Sequence, residues 1–286
     1  DGLIDEDAVS KLTEFKAWVD GIHANDLARQ PGATITDTGH RGNDARYAAA
    51  MATERIRLGT LLTPAARHRP WDLASRVASL DRLSGGRVTL GVGLGALHGN
   101  WLAFEADEGR AVRARKLDEV LDVYAGLMGG QPFSYTGEYF SASPVTELVP
   151  PPPVQTPHPP VWCVGLMVPG RSRQRSLERA ARWQGVFPAI AGGSLENPGS
   201  QLTPPALREL VERLGALRAE AGQTMQGYDV VVEGDSHGEF GTVRPPVEQW
   251  ADAGATWWVE SWWDLPDSPE GRAELRRRLE LGPPRT

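Results

Sequence analysis

The segment that decides the fold is ATERIRLGTLLTPAARHRPWDLASRVASLDRLSGGRVTLGVGLG, residues 52–95. Its early part, residues 55–63, is rich in aliphatic residues and stops at a proline, which is typical of a buried strand. From Pro70 the apolar residues recur three and four positions apart, which predicts a helix that ends before Gly85. In residues 87–95 the apolar residues Val88, Leu90 and Val92 stand at alternate positions, which predicts a second strand. Strand, helix and strand in this order predict a parallel sheet.

The same alternation continues along most of the chain. Strand patterns occupy residues 16–22, 55–63, 87–95, 161–166, 185–190, 228–234 and 256–263. Helical patterns occupy about residues 5–15, 43–54, 71–83, 111–127, 175–183, 204–220, 245–254 and 268–280. Seven strands indicate an eight-stranded (β/α)8 TIM barrel in which one strand is not recognised from the sequence, in a single domain over residues 1–286. Residues 131–160 depart from the alternation, because they carry four consecutive prolines and no helical period; we expect an insertion there.

Composition and charge exclude several classes of partner. The chain is 40% hydrophobic and 23% charged, which suits a folded domain, and its net charge of -7 argues against nucleic acid or an anionic membrane. Cys163 is the only cysteine, so no intrachain disulfide and no cysteine-based zinc site is expected. The acidic opening DGLIDEDAVSKL does not have the order of a signal peptide, and no apolar run is long enough for a membrane span. We therefore expect a cytoplasmic protein.

Residues 52–95 resemble the luciferase-like flavin-dependent oxidoreductases, a family that includes FMN-using monooxygenases and enzymes that use the deazaflavin F420. Further segments that carry the resemblance are RARKLDEVLDVYAGLMGGQPFSYTGEYF (113–140), PPPVQTPHPPVWCVG (151–165) and RSLERAARWQGVFP (175–188). The resemblance implies a barrel whose active site lies at the C-terminal ends of its strands. It also implies that the 131–160 insertion helps to shape the substrate pocket.

The first candidate site is the strand end LGTLLTP. In the family this place carries a bulge, often with a non-proline cis peptide, that packs behind the central ring of the cofactor. Mapped onto this chain, the bond is Leu61–Leu62, and Thr63 is placed to hydrogen-bond the edge of the ring. The alternative is a plain buried strand that stops at a proline.

The second candidate site is the next strand end, GVGLGALHGNW. Gly93 and Gly95 would allow the backbone to approach a flat ring closely. Some F420-using relatives have a glutamate after the second glycine, where this chain has Ala96, which favours FMN over F420. The polar residues available instead are His98, as a candidate catalyst, and Asn100; a surface histidine is the alternative reading.

A second catalytic candidate is His23, which follows the first strand pattern. Relatives place a histidine facing the ring at the end of their second strand, where a near-neutral pKa suits proton transfer. The local match is imperfect, and a solvated loop histidine is the alternative. The six histidines are scattered and no metal-binding motif is present, so we expect no metal.

A candidate phosphate site is the loop GLMVPGRSRQRS at residues 165–176. Backbone N–H groups at a helix start attract anions, and arginine adds bidentate contacts with phosphate. The resemblance places the cofactor phosphate or ribityl chain near here. The binding candidates are Gly165, Arg171, Ser172, Arg173 and Ser176. Glu233 and Glu260, near two later strand ends, are either pocket carboxylates or members of structural ion pairs.

The start of the chain does not match the family, because the usual opening strand has no visible counterpart. We therefore expect either a fragment or a barrel whose first strand is missing or truncated. The leading hypothesis is an oxidoreductase, of monooxygenase type, that uses FMN or alternatively F420 on a small organic substrate. A flavin reductase and a second copy of the chain are the protein partners left open. The competing hypothesis is a non-catalytic luciferase-like barrel that binds a cofactor or serves as a structural protein.

Overall fold

The computed structural model describes residues 47, 50, 51, 53–55, 57–95, 97, 101–130, 132–146, 151–192, 202–236, 246–261, 265–266 and 268–281. The chain divides into two compact units, Asp1–Val161 and Trp162–Thr286. The strands are β1 (Leu58–Gly59), β2 (Thr63–Pro64), β3 (Val88–Gly93), β4 (Phe133–Thr136), β5 (Ser141–Val145), β6 (Val161–Met167), β7 (Gly185–Ile190), β8 (Asp229–Gly234) and β9 (Trp257–Glu260). The helices are α1 (Pro70–Ser84), α2 (Arg110–Met128), α3 (Arg175–Ala181), α4 (Pro204–Glu220), α5 (Val247–Asp252) and α6 (Pro269–Leu281).

In the first unit, β1 and β2 both run parallel to β3. Helix α1 begins with a proline in its first turn and is capped after Ser84 by Gly85, whose φ of 66° is the left-handed conformation that glycine adopts readily. The buried α1 side chains Leu73 and Val77 line a cavity of about 40 Å³ together with Val88 and Leu90 of β3. Val88 and Leu90 stand at alternate positions of β3, so their side chains lie on one face of the strand.

The predicted insertion contains an element that the sequence interpretation missed. Strands β4 and β5 form an antiparallel hairpin that packs along α2. The Glu119 carboxylate on α2 accepts hydrogen bonds from the backbone N–H groups of residues 138–140, at 2.7 to 2.9 Å. At the other end of the hairpin, Phe133 lies so close to Gly126 that a Cβ at that glycine would come within 1.9 Å of the ring. The hairpin is therefore fixed to α2 at both ends.

In the second unit, β6, β7, β8 and β9 form a parallel sheet in that order. Gly165 of β6 faces α3, because a Cβ there would meet Val186 at 2.4 Å and Leu177 at 3.0 Å. At the start of the strands the Asp229 carboxylate accepts hydrogen bonds from the indole N–H groups of Trp162 and Trp257, at 3.0 and 2.8 Å. These contacts fix three of the four strands to one another.

The predicted alternation of parallel strands and helices is confirmed over the described residues. Helix α4 and strand β7 have the predicted bounds, and the other predicted elements there differ by a few residues at their ends. The main difference lies at residues 55–63, where two short strands and an intervening bulge replace one strand. The closed eight-stranded barrel and its missing first strand remain predictions, because residues 1–46 lie outside the described part of the chain.

Candidate functional site

A β-bulge interrupts the first unit's sheet between β1 and β2. Gly59 pairs with Thr89, and Thr63 pairs with Val92. Three residues, 60–62, therefore lie opposite only two on β3, which is the one-residue excess that defines a bulge. The Leu61–Leu62 peptide bond within it is cis, as the family resemblance implied.

The bulge is bound to β3 through one side chain. The Thr60 hydroxyl donates a hydrogen bond to the Gly91 carbonyl at 2.8 Å and accepts one from the Gly91 N–H at 3.0 Å. Position 91 has no room for a side chain, since a Cβ there would lie 2.1 Å from the Thr60 carbonyl oxygen. The sequence interpretation did not predict this contact: it noted the glycines of residues 91–95 as places where backbone could approach a ring, and it did not name Thr60.

The face of the bulge on the Gly91 side is apolar and partly open. By the alternation of a strand, Gly91 lies on the opposite face of β3 from its buried neighbours Leu90 and Val92. The Leu62 side chain lies on this face, 3.3 Å from where a Gly91 Cβ would be. Leu61 and Leu62 are only half-buried, although the strands on either side of them are buried at Leu58 and Thr63. A half-exposed leucine beside glycines suits the face of a flat aromatic ring.

The Thr63 side chain lies on the other face of the sheet. Thr63 pairs in register with the fully buried Val92, and it lines the small cavity beside Leu73 and Val77 of α1. Its side chain therefore lies on the same face of the sheet as Val92, opposite to Gly91, and its backbone groups are the ones placed to face a ring on the Gly91 side.

Gly95 lies between two largely buried arginines. Its φ of 83° favours glycine, and a Cβ would come within 2.6 Å of the Arg67 guanidinium. The Arg113 Nη1 donates a hydrogen bond to the Gly95 carbonyl at 2.9 Å. Gly95 is therefore required by the backbone conformation and by the neighbouring arginine. Gly93 is the buried last residue of β3, two residues earlier.

The arginines also hold the acidic loop, defined as residues 105–108 between β3 and α2. Arg67 pairs with Glu105 at 2.8 Å, and Arg113 pairs with Asp107 at 3.3 Å. Lys116 makes the third pair, with Glu108. The basic side chains are mostly buried, whereas the carboxylates are 29% to 50% exposed. The loop is thus bound to the rest of the unit largely through charge.

In the second unit, the Ser176 and Gln174 side chains of the predicted phosphate loop form hydrogen bonds with nearby backbone groups. The Ser176 hydroxyl accepts from Leu166 N–H at 3.0 Å and donates to the Val164 carbonyl at 2.8 Å. The buried Gln174 side chain bonds both backbone groups of Val168. Gly165, as shown above, makes room for α3. The geometry therefore gives Gly165 and Ser176 structural contacts.

The polar side chains left exposed on this loop are those of Arg171, Ser172, Arg173 and Arg175. Arg173 forms an ion pair with Glu178 at 3.3 Å. Arg213 of α4 donates hydrogen bonds to the carbonyl oxygens of Arg171 and Ser172. Helix α3 has only seven residues. The role of these residues in binding phosphate stays a prediction.

The two carboxylates that the sequence interpretation noted near the later strand ends lie on opposite faces of the sheet. Glu233 accepts a hydrogen bond from the Ser261 hydroxyl at 3.0 Å. Glu260 accepts from both the N–H and the hydroxyl of Ser236, at 2.9 Å each, and from the Trp258 indole at 2.9 Å. Glu260 is thus held mainly by structural contacts.

Three predicted site residues, His23, His98 and Asn100, lie outside the described residues. Within the described part, no group of three or more histidine, cysteine or acidic residues is arranged to hold a metal ion. None of the helices in that part has the length and apolar character needed to cross a bilayer.

Comparison with known proteins identifies the family. Residues 47–237, about two thirds of the chain, match the family model described as luciferase-like monooxygenase. Over 93 residues the chain is 40% identical to a 4-hydroxyprotoasukamycin monooxygenase of Streptomyces nodosus, a match that covers 32% of this chain and 24% of that protein. The chain spans about a quarter to half of the length of the curated relatives it matches.

Solved structures share the fold at low sequence identity. The coenzyme F420-dependent tetrahydromethanopterin reductase of Methanopyrus kandleri has a TM-score of 0.58 and 17% identity, covering 81% of this chain and 84% of that one. The oxygenating component of the 3,6-diketocamphane monooxygenase of Pseudomonas putida, solved with FMN, has a TM-score of 0.53 and 18% identity, covering 68% and 52%. These structures share the fold, and the family match shows that the chain belongs to the luciferase-like monooxygenase family.

Proposed function

We propose that this protein is an oxidoreductase of monooxygenase type that binds FMN, or alternatively F420, on the Leu61–Leu62 bulge. The observation that carries the proposal is the open apolar face of the bulge, where the half-buried Leu62 lies beside Gly91. Apolar side chains against glycine backbone provide a surface on which a flat ring can lie. Family membership supports the choice of cofactor class.

The chain's own residues would bind and orient the cofactor. Leu61 and Leu62 would support one face of the ring, and the backbone of Gly93 and Gly95 would allow it to approach the end of β3. Thr63 would contribute backbone groups, because its side chain lies on the face of the sheet opposite to Gly91. A small organic substrate would then occupy the other face of the ring.

The two cofactors imply different reactions. Reduced FMN supplies two electrons with which one atom of O2 enters the substrate and the other leaves as water, whereas F420 exchanges a hydride with the substrate. The FMN reaction requires a source of reduced flavin, so a flavin reductase is the partner of this proposal. We favour FMN because Ala96 stands where some F420-using relatives have a glutamate.

Separate titrations with FMN and with F420, followed by quenching of cofactor fluorescence, test the proposal. We expect one of the two to bind with a Kd of about 1 μM or tighter. Binding of F420 alone would replace FMN and the reductase with hydride transfer. If the folded protein binds neither, the oxidoreductase proposal is wrong and the non-catalytic alternative takes its place.

A further inference from the structure

The bulge that the proposed function assigns to the cofactor is bound to β3 through the hydroxyl of Thr60. Thr60 is 8% exposed, and its Oγ1 is hydrogen-bonded to both the carbonyl and the N–H of Gly91, at 2.8 and 3.0 Å. Two main-chain groups of one residue thus depend on the same buried side chain. A buried N–H or carbonyl that loses its partner is costly, so the bulge would have to rearrange if the hydroxyl were removed.

The contact also determines where Leu62 lies. The Thr60 carbonyl oxygen would be 2.1 Å from a Gly91 Cβ, and the Leu62 side chain would be 3.3 Å from the same point. The backbone of the bulge and its leucine therefore both pack directly on Gly91. Any shift of Thr60 relative to Gly91 moves the apolar surface that Leu62 presents.

We propose that Thr60 is a positioning residue, which fixes the Leu61–Leu62 bulge on Gly91 in the conformation that receives the cofactor ring. This inference rests on the proposed function, since it concerns the same site. Thr60 contacts Gly91 and need not touch the cofactor. The hydroxyl makes both hydrogen bonds to Gly91, so we expect serine at position 60 to keep the positioning role and valine to lose it.

Three variants separate this role from general stability. Thr60→Val removes the hydroxyl at nearly constant volume, and Thr60→Ala is a second hydroxyl-free variant that adds no methyl group in place of the hydroxyl. Thr60→Ser keeps the hydroxyl. The matched control is Thr89→Val, because Thr89 is also buried, at 3%, on the neighbouring strand, and within the described part of the chain its hydroxyl accepts a long 3.4 Å bond from Arg57.

Two measurements apply to these variants: cofactor affinity with the visible circular dichroism of the bound cofactor, and amide hydrogen exchange of residues 58–64 and 88–93 without cofactor. We expect the hydroxyl-free variants to weaken binding by about tenfold or more, to change the dichroism band and to exchange faster in both segments. Thr60→Ser and Thr89→Val should stay within about threefold of the wild-type affinity.

The outcomes distinguish the inference from the function on which it rests. If the wild-type protein binds FMN or F420 and Thr60→Val binds it equally well with unchanged exchange, the positioning role is wrong and the proposed function stands. If Thr89→Val matches Thr60→Val in every measurement, the effect is general destabilisation and the positioning role is again wrong. If the wild-type protein binds neither cofactor, both proposals fail together.

Discussion

The Asp81 carboxylate on α1 accepts hydrogen bonds from both the backbone N–H and the side-chain amide of Gln155, at 3.0 and 2.7 Å. It accepts a third from the Val154 N–H at 2.8 Å, and Asp81 is fully buried. We expect Asp81→Ala to lower the free energy of unfolding by about 2–3 kcal/mol, because it leaves buried donors without an acceptor. Urea denaturation followed by circular dichroism measures the change.

The control for this prediction is Asp72→Ala, which removes an exposed carboxylate from the first turn of the same helix. Its expected loss is below about 1 kcal/mol, from the helix dipole alone. Equal losses in the two variants would show that the Asp81 contacts do not stabilise the fold.

A pair of glycine-to-alanine changes should have opposite effects. Gly91→Ala places a Cβ 2.1 Å from the Thr60 carbonyl, so we expect lower stability and weaker cofactor binding. Gly215 lies within α4, and the nearest atom to a Cβ there is Met225 Cγ at 3.7 Å. Gly215→Ala should therefore raise the free energy of unfolding by about 0.5–1 kcal/mol, through helix propensity. Thermal denaturation shows whether each variant is less or more stable than the wild type. A Gly91→Ala variant that is more stable would contradict the close contact.

The acidic loop should open when its ion pairs are removed. Phe104, next to the loop, is 85% exposed, so apolar packing at that residue contributes little to holding it. We expect the triple variant Glu105→Gln, Asp107→Asn and Glu108→Gln to exchange amide hydrogens several-fold faster across residues 101–109. Hydrogen exchange with mass spectrometry resolves this segment.

Salt should act in the same direction as these substitutions. Raising salt from about 0.1 M to about 1 M shortens the Debye length from about 10 Å to about 3 Å and weakens the partly exposed pairs. The control is Glu178→Gln, which removes the surface pair with Arg173 in the second unit. Exchange in residues 101–109 that responds to neither the triple variant nor salt would contradict the electrostatic account.

Alkaline pH should destabilise the protein partly through Tyr228. Burial raises the pKa of the Tyr228 hydroxyl well above its ordinary value of 10.0, and the hydroxyl donates to the Ala180 carbonyl at 2.9 Å. Because the folded pKa is the higher one, the stabilisation is complete below about pH 10 and is lost as pH rises above it.

Tyr228→Phe removes this titration. At neutral pH the variant should be less stable, because it loses the hydrogen bond to Ala180. Between pH 9 and 11, approximately, its free energy of unfolding should fall less steeply than that of the wild type. Urea denaturation across this range gives both slopes, and parallel slopes would rule out Tyr228 as the source.

Much of the fold could be predicted from the sequence because its helices are strongly periodic. Helix α4 has the predicted bounds because Pro204 marks its start and the apolar period runs to Glu220. The β4–β5 hairpin was missed, although Phe133 and Tyr135 alternate with polar residues, because the following prolines suggested irregular structure.

The candidate site was less accessible to sequence reasoning. The cis bond at Leu61–Leu62 came from the family resemblance and is confirmed. The contact of Thr60 with Gly91 depends on a one-residue difference in strand register, which no periodicity reveals. Gly165 was predicted to approach a cofactor, but its packing against Leu177 depends on which strand face meets α3.

The most direct test of the bulge as cofactor surface compares two leucine-to-glutamate variants. Leu62→Glu puts a charge on the proposed ring surface, whereas Leu83→Glu puts one on an α1 side chain that is 48% exposed. In fluorescence titrations with FMN and F420, we predict that Leu83→Glu binds like the wild type and that Leu62→Glu binds at least about tenfold more weakly. Wild-type affinity in a folded Leu62→Glu protein would contradict the account.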